Sequence, residues 1–249
     1  MIRRRMPIVV PPYEELLKEA VAHYWRTLES QKKKQKVGTD HGNRSSVTGG
    51  KQLDGFCALV QTLLVQNGLG EACIYFKSQR ELPGYFRATK AWDMIVVHEG
   101  YLLAAIEFKS QKGPSFGNNV NNRVEEAVGT ARDLWIAYRE GAYGKDRPAP
   151  WLGWVMLFED CKKSTCPVTV KEPHFPVFPE FRDASYSQRY QLLLRRLVYE
   201  KLYDAAAFIT STRNGGPKGE YEEPAADLNM KRLLAGLAGH VGGYLAATK

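Results

Sequence analysis

Three ionisable residues interrupt apolar sequence in this chain. Asp93 stands between Trp92 and the run Met94, Ile95, Val96 and Val97, while Glu107 and Lys109 follow Leu102, Leu103, Ala104, Ala105 and Ile106. Charged groups at the end of an apolar strand need compensation. Strand side chains alternate, so Glu107 and Lys109 point to one face and Phe108 to the other. A hairpin at Glu99 and Gly100 folds Asp93 back towards them. Two carboxylates form a hard oxygen site that suits Mg²⁺, which keeps several waters and accepts oxygens from a substrate phosphate. Such a metal polarises a phosphoryl oxygen and acidifies water; an ammonium such as Lys109 can position or deprotonate the attacking water and neutralise developing charge. The chemistry is phosphodiester hydrolysis. The competing reading is structural, an ion pair of Glu107 with Lys109 or across to Asp93, but three ionisable groups at the shared end of apolar strands favour function.

The elements that must position this trio follow from hydrophobic spacing. Tyr13, Leu16, Leu17, Ala20, Val21, Tyr24, Trp25 and Leu28 recur at the helical interval after Pro11 and Pro12. Lys32, Lys33, Lys34 and Lys36 then lead into a polar stretch ending at Gly49 and Gly50, expected to be a basic, mobile loop able to order on DNA. From Asp54, Phe56, Leu59, Val60, Leu63 and Leu64 predict a second buried helix. Strands are predicted over 72–76, 92–98 and 102–108, followed by a glycine- and asparagine-rich loop over 113–122 and a helix carrying Val124, Ala127, Val128, Ala131, Leu134, Trp135 and Tyr138. Residues 151–158 are nearly all apolar, as in a strand covered on both faces. Helical spacing returns from Tyr190 to Leu202 and again over 225–247, with a basic break around Arg213 and Lys218. The order implies an α/β fold with a mixed central β-sheet flanked by helices. One unit over 1–249 is expected: an N-terminal helix and basic loop over 1–50, a catalytic core about 51–160, and a helical, DNA-contacting part about 161–249.

Composition bounds the partners. Lysine and arginine outnumber aspartate and glutamate by 35 to 27, a formal charge of +8 that suits approach to a polyanion. No apolar run is long enough to span a bilayer, and residues 1–12 lack the apolar stretch of a signal peptide, so a soluble cytoplasmic protein is expected. Cys57, Cys73, Cys161 and Cys166 form no CxxC pair, and Cys57 and Cys73 read as reduced core thiols. None of the five histidines has metal-ligand or triad spacing.

An aspartate, a glutamate fourteen positions on and a lysine two further, on adjacent strands, resembles the PD-(D/E)xK nuclease superfamily. More specifically, Leu82-Pro83-Gly84-Tyr85-Phe86-Arg87, Lys90-Ala91-Trp92-Asp93, Ala104-Ala105-Ile106-Glu107-Phe108-Lys109-Ser110-Gln111, Gly113-Pro114-Ser115-Phe116-Gly117-Asn118-Asn119, Asn121-Asn122-Arg123 and Glu125-Glu126-Ala127 resemble the XhoI family of type II restriction endonucleases. Trp92 stands where the superfamily has a proline. The resemblance implies a restriction-endonuclease-like core, a bacterial cytoplasmic setting and a Mg²⁺-dependent enzyme that cuts duplex DNA at the palindrome CTCGAG to leave 5′ overhangs. Two equivalent half-sites imply a two-fold homodimer. A repair or recombination nuclease of the same superfamily, or a DNA-binding protein without catalysis, remains as an alternative.

Around the trio, Asp54 has two readings: an added metal ligand, as acids on such a helix sometimes are in this superfamily, or a helix cap. Glu125 and Glu126 either hydrogen-bond metal waters or favour a helix dipole. Asn118, Asn119, Asn121, Asn122 and Arg123 are candidate DNA contacts leaving the active-site edge, although asparagine also favours turns. Arg87, Lys90, Lys33 and Lys34 are candidate phosphate or groove ligands, with Arg195 and Arg213 further along the chain; each alternatively is a solvated surface charge.

Overall fold

In a computed structural model the described residues are 9–37 apart from 11, then 51–145 and 147–248, with 32–37 described by backbone alone. The polar stretch 38–50 lies outside the described residues. Helix α1 (Tyr13–Val37) carries the expected apolar stripe and continues through the lysines, because Lys, Gln and Glu are good helix formers. Lys33 and Lys34 are thus on its last turns rather than in a loop, and their side chains lie outside the described residues. Helix α2 (Asp54–Gln66) buries Phe56, Leu59, Val60, Leu63 and Leu64 as the spacing predicts. Asp54 is not its cap: Leu53 occupies that position, after a 3₁₀ turn over Lys51–Leu53, and no side chain caps the helix. The acid sits in the first turn, where it favours the helix dipole.

The strands are β1 (Ile74–Tyr75), β2 (Glu81–Pro83), β3 (Thr89–Ala91), β4 (Met94–His98), β5 (Tyr101–Gln111), β6 (Trp151–Glu159) and β7 (Ala205–Ser211). Sheet order is β1-β4-β5-β6-β7, antiparallel on the β1–β4–β5 side and parallel across β5–β6–β7. β4 and β5 meet at Glu99 and Gly100, both at positive φ, as a two-residue turn between right-twisted strands requires. The parallel steps are crossed by α3 (Phe116–Arg139) and, beyond the short α4 (Lys162–Thr165), by α5 (Tyr186–Tyr199); α6 (Met230–Thr248) closes the chain.

From Ala104 onward, past an irregularity in the β4–β5 register that leaves Leu102 on the opposite side, alternation along β5 sorts its residues between two cores. Ala104, Ile106 and Phe108 pack under α1, α2 and α6, whereas Leu102 and Ala105 face α3 and α5 with Trp154, Met156 and Phe208. Glu107 and Lys109 share the parity of Ala105, which aims them at the α3 side. The fold is a mixed α/β sheet between two helical layers, as the pattern predicts. Among the described residues no helix is long and apolar enough to cross a membrane.

The expected loop over 113–122 is helical from Phe116 onward. Phe116, Val120 and Ala127 are buried on one stripe, so tertiary burial overrides the turn preference of the asparagines. The helix expected to reach Leu202 stops at Tyr199, and Lys201 has φ +57°. Cys57 is buried, with its thiol pushed well up by burial, while Cys73 is only half-buried; all four cysteines are free.

Candidate active site

The trio comes together at one end of β4 and β5. Asp93 lies in the bend just before β4, which starts two residues later than the expected strand over 92–98, and its Oδ2 accepts hydrogen bonds from Phe108 N at 2.9 Å and from Lys109 Nζ at 3.1 Å. Glu107 is 1% exposed. Its Oε1 pairs with Lys90 Nζ, and its Oε2 faces Lys109 Nζ in an ion pair without accepting a well-aligned hydrogen bond. From α3, Glu126 Oε1 reaches the same ammonium at 3.2 Å. Arg80 approaches Asp93 Oδ1 at 3.8 Å and donates to Trp92 O at 2.8 Å. Trp92 is buried, and Lys90 Nζ lies 4.8 Å from its ring centre.

Charge sets the protonation states. Burial pushes the Glu107 carboxyl up, further than the neighbouring lysines pull it down. At Asp93 burial acts the same way, but the Lys109 charge and the hydrogen bonds it accepts prevail and hold the carboxyl low. Glu126 is likewise held low by Lys109 and Arg123 against its desolvation. Burial disfavours the Lys109 ammonium, yet Glu107, Asp93 and Glu126 together raise its affinity for the proton. Lys109 is therefore a firm cation. Arg80, Lys90, Lys109 and Arg123 face Asp93, Glu107 and Glu126, four cations against three carboxylates.

The residues fit a hard divalent cation by donor chemistry. No group of three His, Cys, Asp or Glu side chains is arranged to hold a metal among the described residues. Mg²⁺ needs fewer protein ligands, since one or two carboxylates complete a shell made mostly of water and phosphate oxygens. Glu107 Oε2, buried and short of a hydrogen bond, together with Asp93 supplies that pair. Asp54 makes no ion pair with the trio and lines a groove beside α1 with Glu15, His23 and Arg26.

The other candidates divide by position. Asn119, Asn122, Arg123 and Glu126 recur at i, i+3, i+4 and i+7, which places them on one face of α3. Asn118, Asn121 and Asn122 are exposed. Arg123 pairs with Glu126, and its Nε is buried without a hydrogen-bond partner. Arg195 pairs with Asp227, and Arg213 with buried Glu159. Lys90, one of the possible DNA ligands, pairs with Glu107 in the carboxylate cluster; nothing in its local sequence signals that, because β3 reaches Glu107 only in the folded chain.

Arg87 is tied down as well. Asp133 on α3 is buried, and it accepts hydrogen bonds from Tyr85 N at 2.7 Å, Phe86 N at 2.8 Å and Arg87 Nε at 2.7 Å. Burial raises this carboxyl, but the three donors outweigh it and hold it below the usual range. Its stabilisation is present above the pKa of an unfolded aspartate and fades as pH falls through the lowered folded value. Asp133→Ala is expected to cost about 1.5–3 kcal/mol in urea unfolding at pH 7, with the gap to wild type narrowing in acid.

With the geometry in place, comparisons assign the lineage. The profile of restriction endonuclease XhoI matches residues 31–223. Type II restriction enzyme BstVI of Geobacillus stearothermophilus is 53% identical over 213 residues, 84% of this chain and 95% of that protein. Type II restriction enzyme XhoI of Xanthomonas vasicola is 46% identical, covering 78% of each chain, and type II restriction enzyme AbrI of Azospirillum brasilense is 48% identical over 68% of this chain and 77% of its own. No solved structure matches the chain. A family match spanning the whole Asp93–Glu107–Lys109 cluster, with relatives this similar, means that the chain belongs to the XhoI family of type II restriction endonucleases.

Proposed function

We propose that the chain cleaves duplex DNA with Mg²⁺ held by Asp93 and Glu107, at the palindrome CTCGAG, leaving 5′ overhangs. Family membership makes it a site-specific deoxyribonuclease; the metal, the target and the residue roles are the proposal. The observation that carries the roles is the buried Glu107 carboxylate, set between Lys90 and Lys109 and beside Asp93. Bound Mg²⁺ supplies the electrophilic polarisation of the scissile phosphate.

The chain's own groups do the rest. Lys109, kept protonated by three carboxylates, orients the attacking water and neutralises charge gathering on the phosphoryl oxygens. Water adds to phosphorus as one P–O ester bond breaks; its proton passes to solvent, the departing oxygen takes one up, and a hydroxyl and a phosphate monoester remain. Glu126 steadies Lys109 from α3, and Lys90 holds Glu107 in place from β3. Asn118, Asn119, Asn121, Asn122 and Arg123 are proposed to meet the duplex where α3 begins, as are Lys33 and Lys34 at the end of α1; Asp54, which makes no ion pair with the trio, is given no role.

A plasmid carrying one CTCGAG is expected to be linearised in Mg²⁺ and left intact in EDTA, with sequenced ends mapping to that hexamer. Cleavage elsewhere would remove the target, and a smear would favour a repair-type nuclease. Sedimentation should show two chains per duplex; one chain per cut duplex would remove the homodimer.

A further inference from the structure

We infer that the turn over 84–88 is a wedge that presses Tyr85 and Phe86 against the bases of the bound duplex, a role that rests on the nuclease reading of the adjacent site. Phe86 is 71% and Tyr85 55% exposed, and their rings meet edge to face at 5.1 Å. Single exposed aromatics are ordinary on protein surfaces, and a turn is normally polar. This pair is distinguished by how firmly its backbone is held. Buried Asp133 takes the N–H of both residues and the Arg87 guanidinium, Tyr143 Oη donates to Pro83 O at 2.7 Å, and β2 pairs with β3 below the tip. Gly84 lies so near Asp133 that a Cβ there would stand 2.5 Å from its Oδ2. The fold commits a buried carboxylate to presenting two apolar rings to solvent.

Two independent paths locate the tip relative to the chemistry. Phe86 is four residues from Lys90, the partner of Glu107, and lies ahead of β3, so the two are within roughly 14 Å of one another. Along α3, Asp133 is seven residues from Glu126, the partner of Lys109, about 10 Å at helical rise. At about 3.4 Å per base pair, these bounds put the tip within about four base pairs of the carboxylates along a duplex seated there. A duplex seated on the carboxylates therefore has a groove within reach of the rings. Arg87 beside them bonds Asp133 through Nε alone and is 44% exposed, so its remaining N–H groups suit a phosphate at the edge of the groove. Flat aromatic rings match this partner, because each base offers a face to stack on and a step to enter.

The test uses full-length protein with Tyr85→Ala, Phe86→Ala and the double substitution, all leaving Asp133 and its donors intact. Thermal unfolding should match wild type. The double variant is expected to bind a CTCGAG duplex in Ca²⁺ at least about tenfold more weakly. Fluorescence of 2-aminopurine placed one to four base pairs from the cleaved phosphate should rise on wild-type binding and stay low with Phe86→Ala. A folded double variant with wild-type affinity and the wild-type fluorescence rise would overturn the wedge while leaving the nuclease reading intact. If the substitutions instead convert a dimer to a monomer without changing DNA affinity per chain, a second copy covers the tip and the wedge is overturned. Failure of wild type to bind or cut any duplex would overturn both readings together.

Discussion

Glu107→Gln is expected to slow cleavage of the cognate duplex by about 10³-fold or more while the protein still binds DNA. In the proposed site the carboxylate would contribute one of two charged ligands for the cation that polarises the phosphate, a role worth several kcal/mol at the transition state, and about 1.36 kcal/mol is a tenfold rate change. Glutamine is the informative replacement because Glu107 also neutralises two lysines in a nearly dry setting. Alanine would leave the Lys90 ammonium without its carboxylate partner beside an empty space and cost about 3–5 kcal/mol of stability, mixing unfolding with lost chemistry. Glutamine keeps the volume and one oxygen beside Lys90. Single-turnover cleavage gels, with anisotropy to measure binding, separate the two effects. Wild-type cleavage by the variant would remove Glu107 from the active site.

Lys109→Met should produce the second large loss, about 10²- to 10⁴-fold in the cleavage step, the range expected when a group positioned on the reacting water is removed. Its effect on cations should have the opposite sign. Lys109 is the shared partner of Asp93, Glu107 and Glu126, so without it the three carboxylates repel one another and attract a divalent ion more strongly. Calorimetric titration with Ca²⁺ in the absence of DNA should then show tighter binding than wild type. A merely structural lysine would give the reverse, weaker binding from a loosened site. Intact cleavage would exclude the assigned role altogether.

How much of this was legible in the sequence differs by residue. Glu107 and Lys109 could be paired because two-residue alternation in an apolar strand is a local rule, and the hairpin at Glu99 and Gly100 brought Asp93 to them. Lys90, Arg80 and Glu126 join the cluster through contacts between separate elements, which no local pattern encodes. β7 escaped notice because Ala205, Ala206 and Ala207 carry little strand preference; their burial between β6 and the flanking helices makes them a strand. The asparagines misled in the other direction. Their turn preference is real, but Phe116 and Val120 anchor that stretch in the core, and a helix results. Asp133 reads as one more polar residue of an amphipathic helix, and its donors lie 46 to 48 positions away.

The continuity of α3 carries a consequence for how members of such a lineage diversify. A single unbroken helix holds both Glu126 and Asp133, so the interval between the proposed catalytic cluster and the aromatic turn is a ruler graduated in helical turns. One inserted residue would swing Asp133 by about 100° off the face it shares with Glu126, and only whole turns of about 5.4 Å restore that face. DNA advances by about 3.4 Å per base pair, so one helical turn does not match a step of one base pair. Lengthening or shortening the recognised stretch by one base pair is therefore not open to insertion in this helix, whereas exchanging side chains along it leaves the spacing untouched.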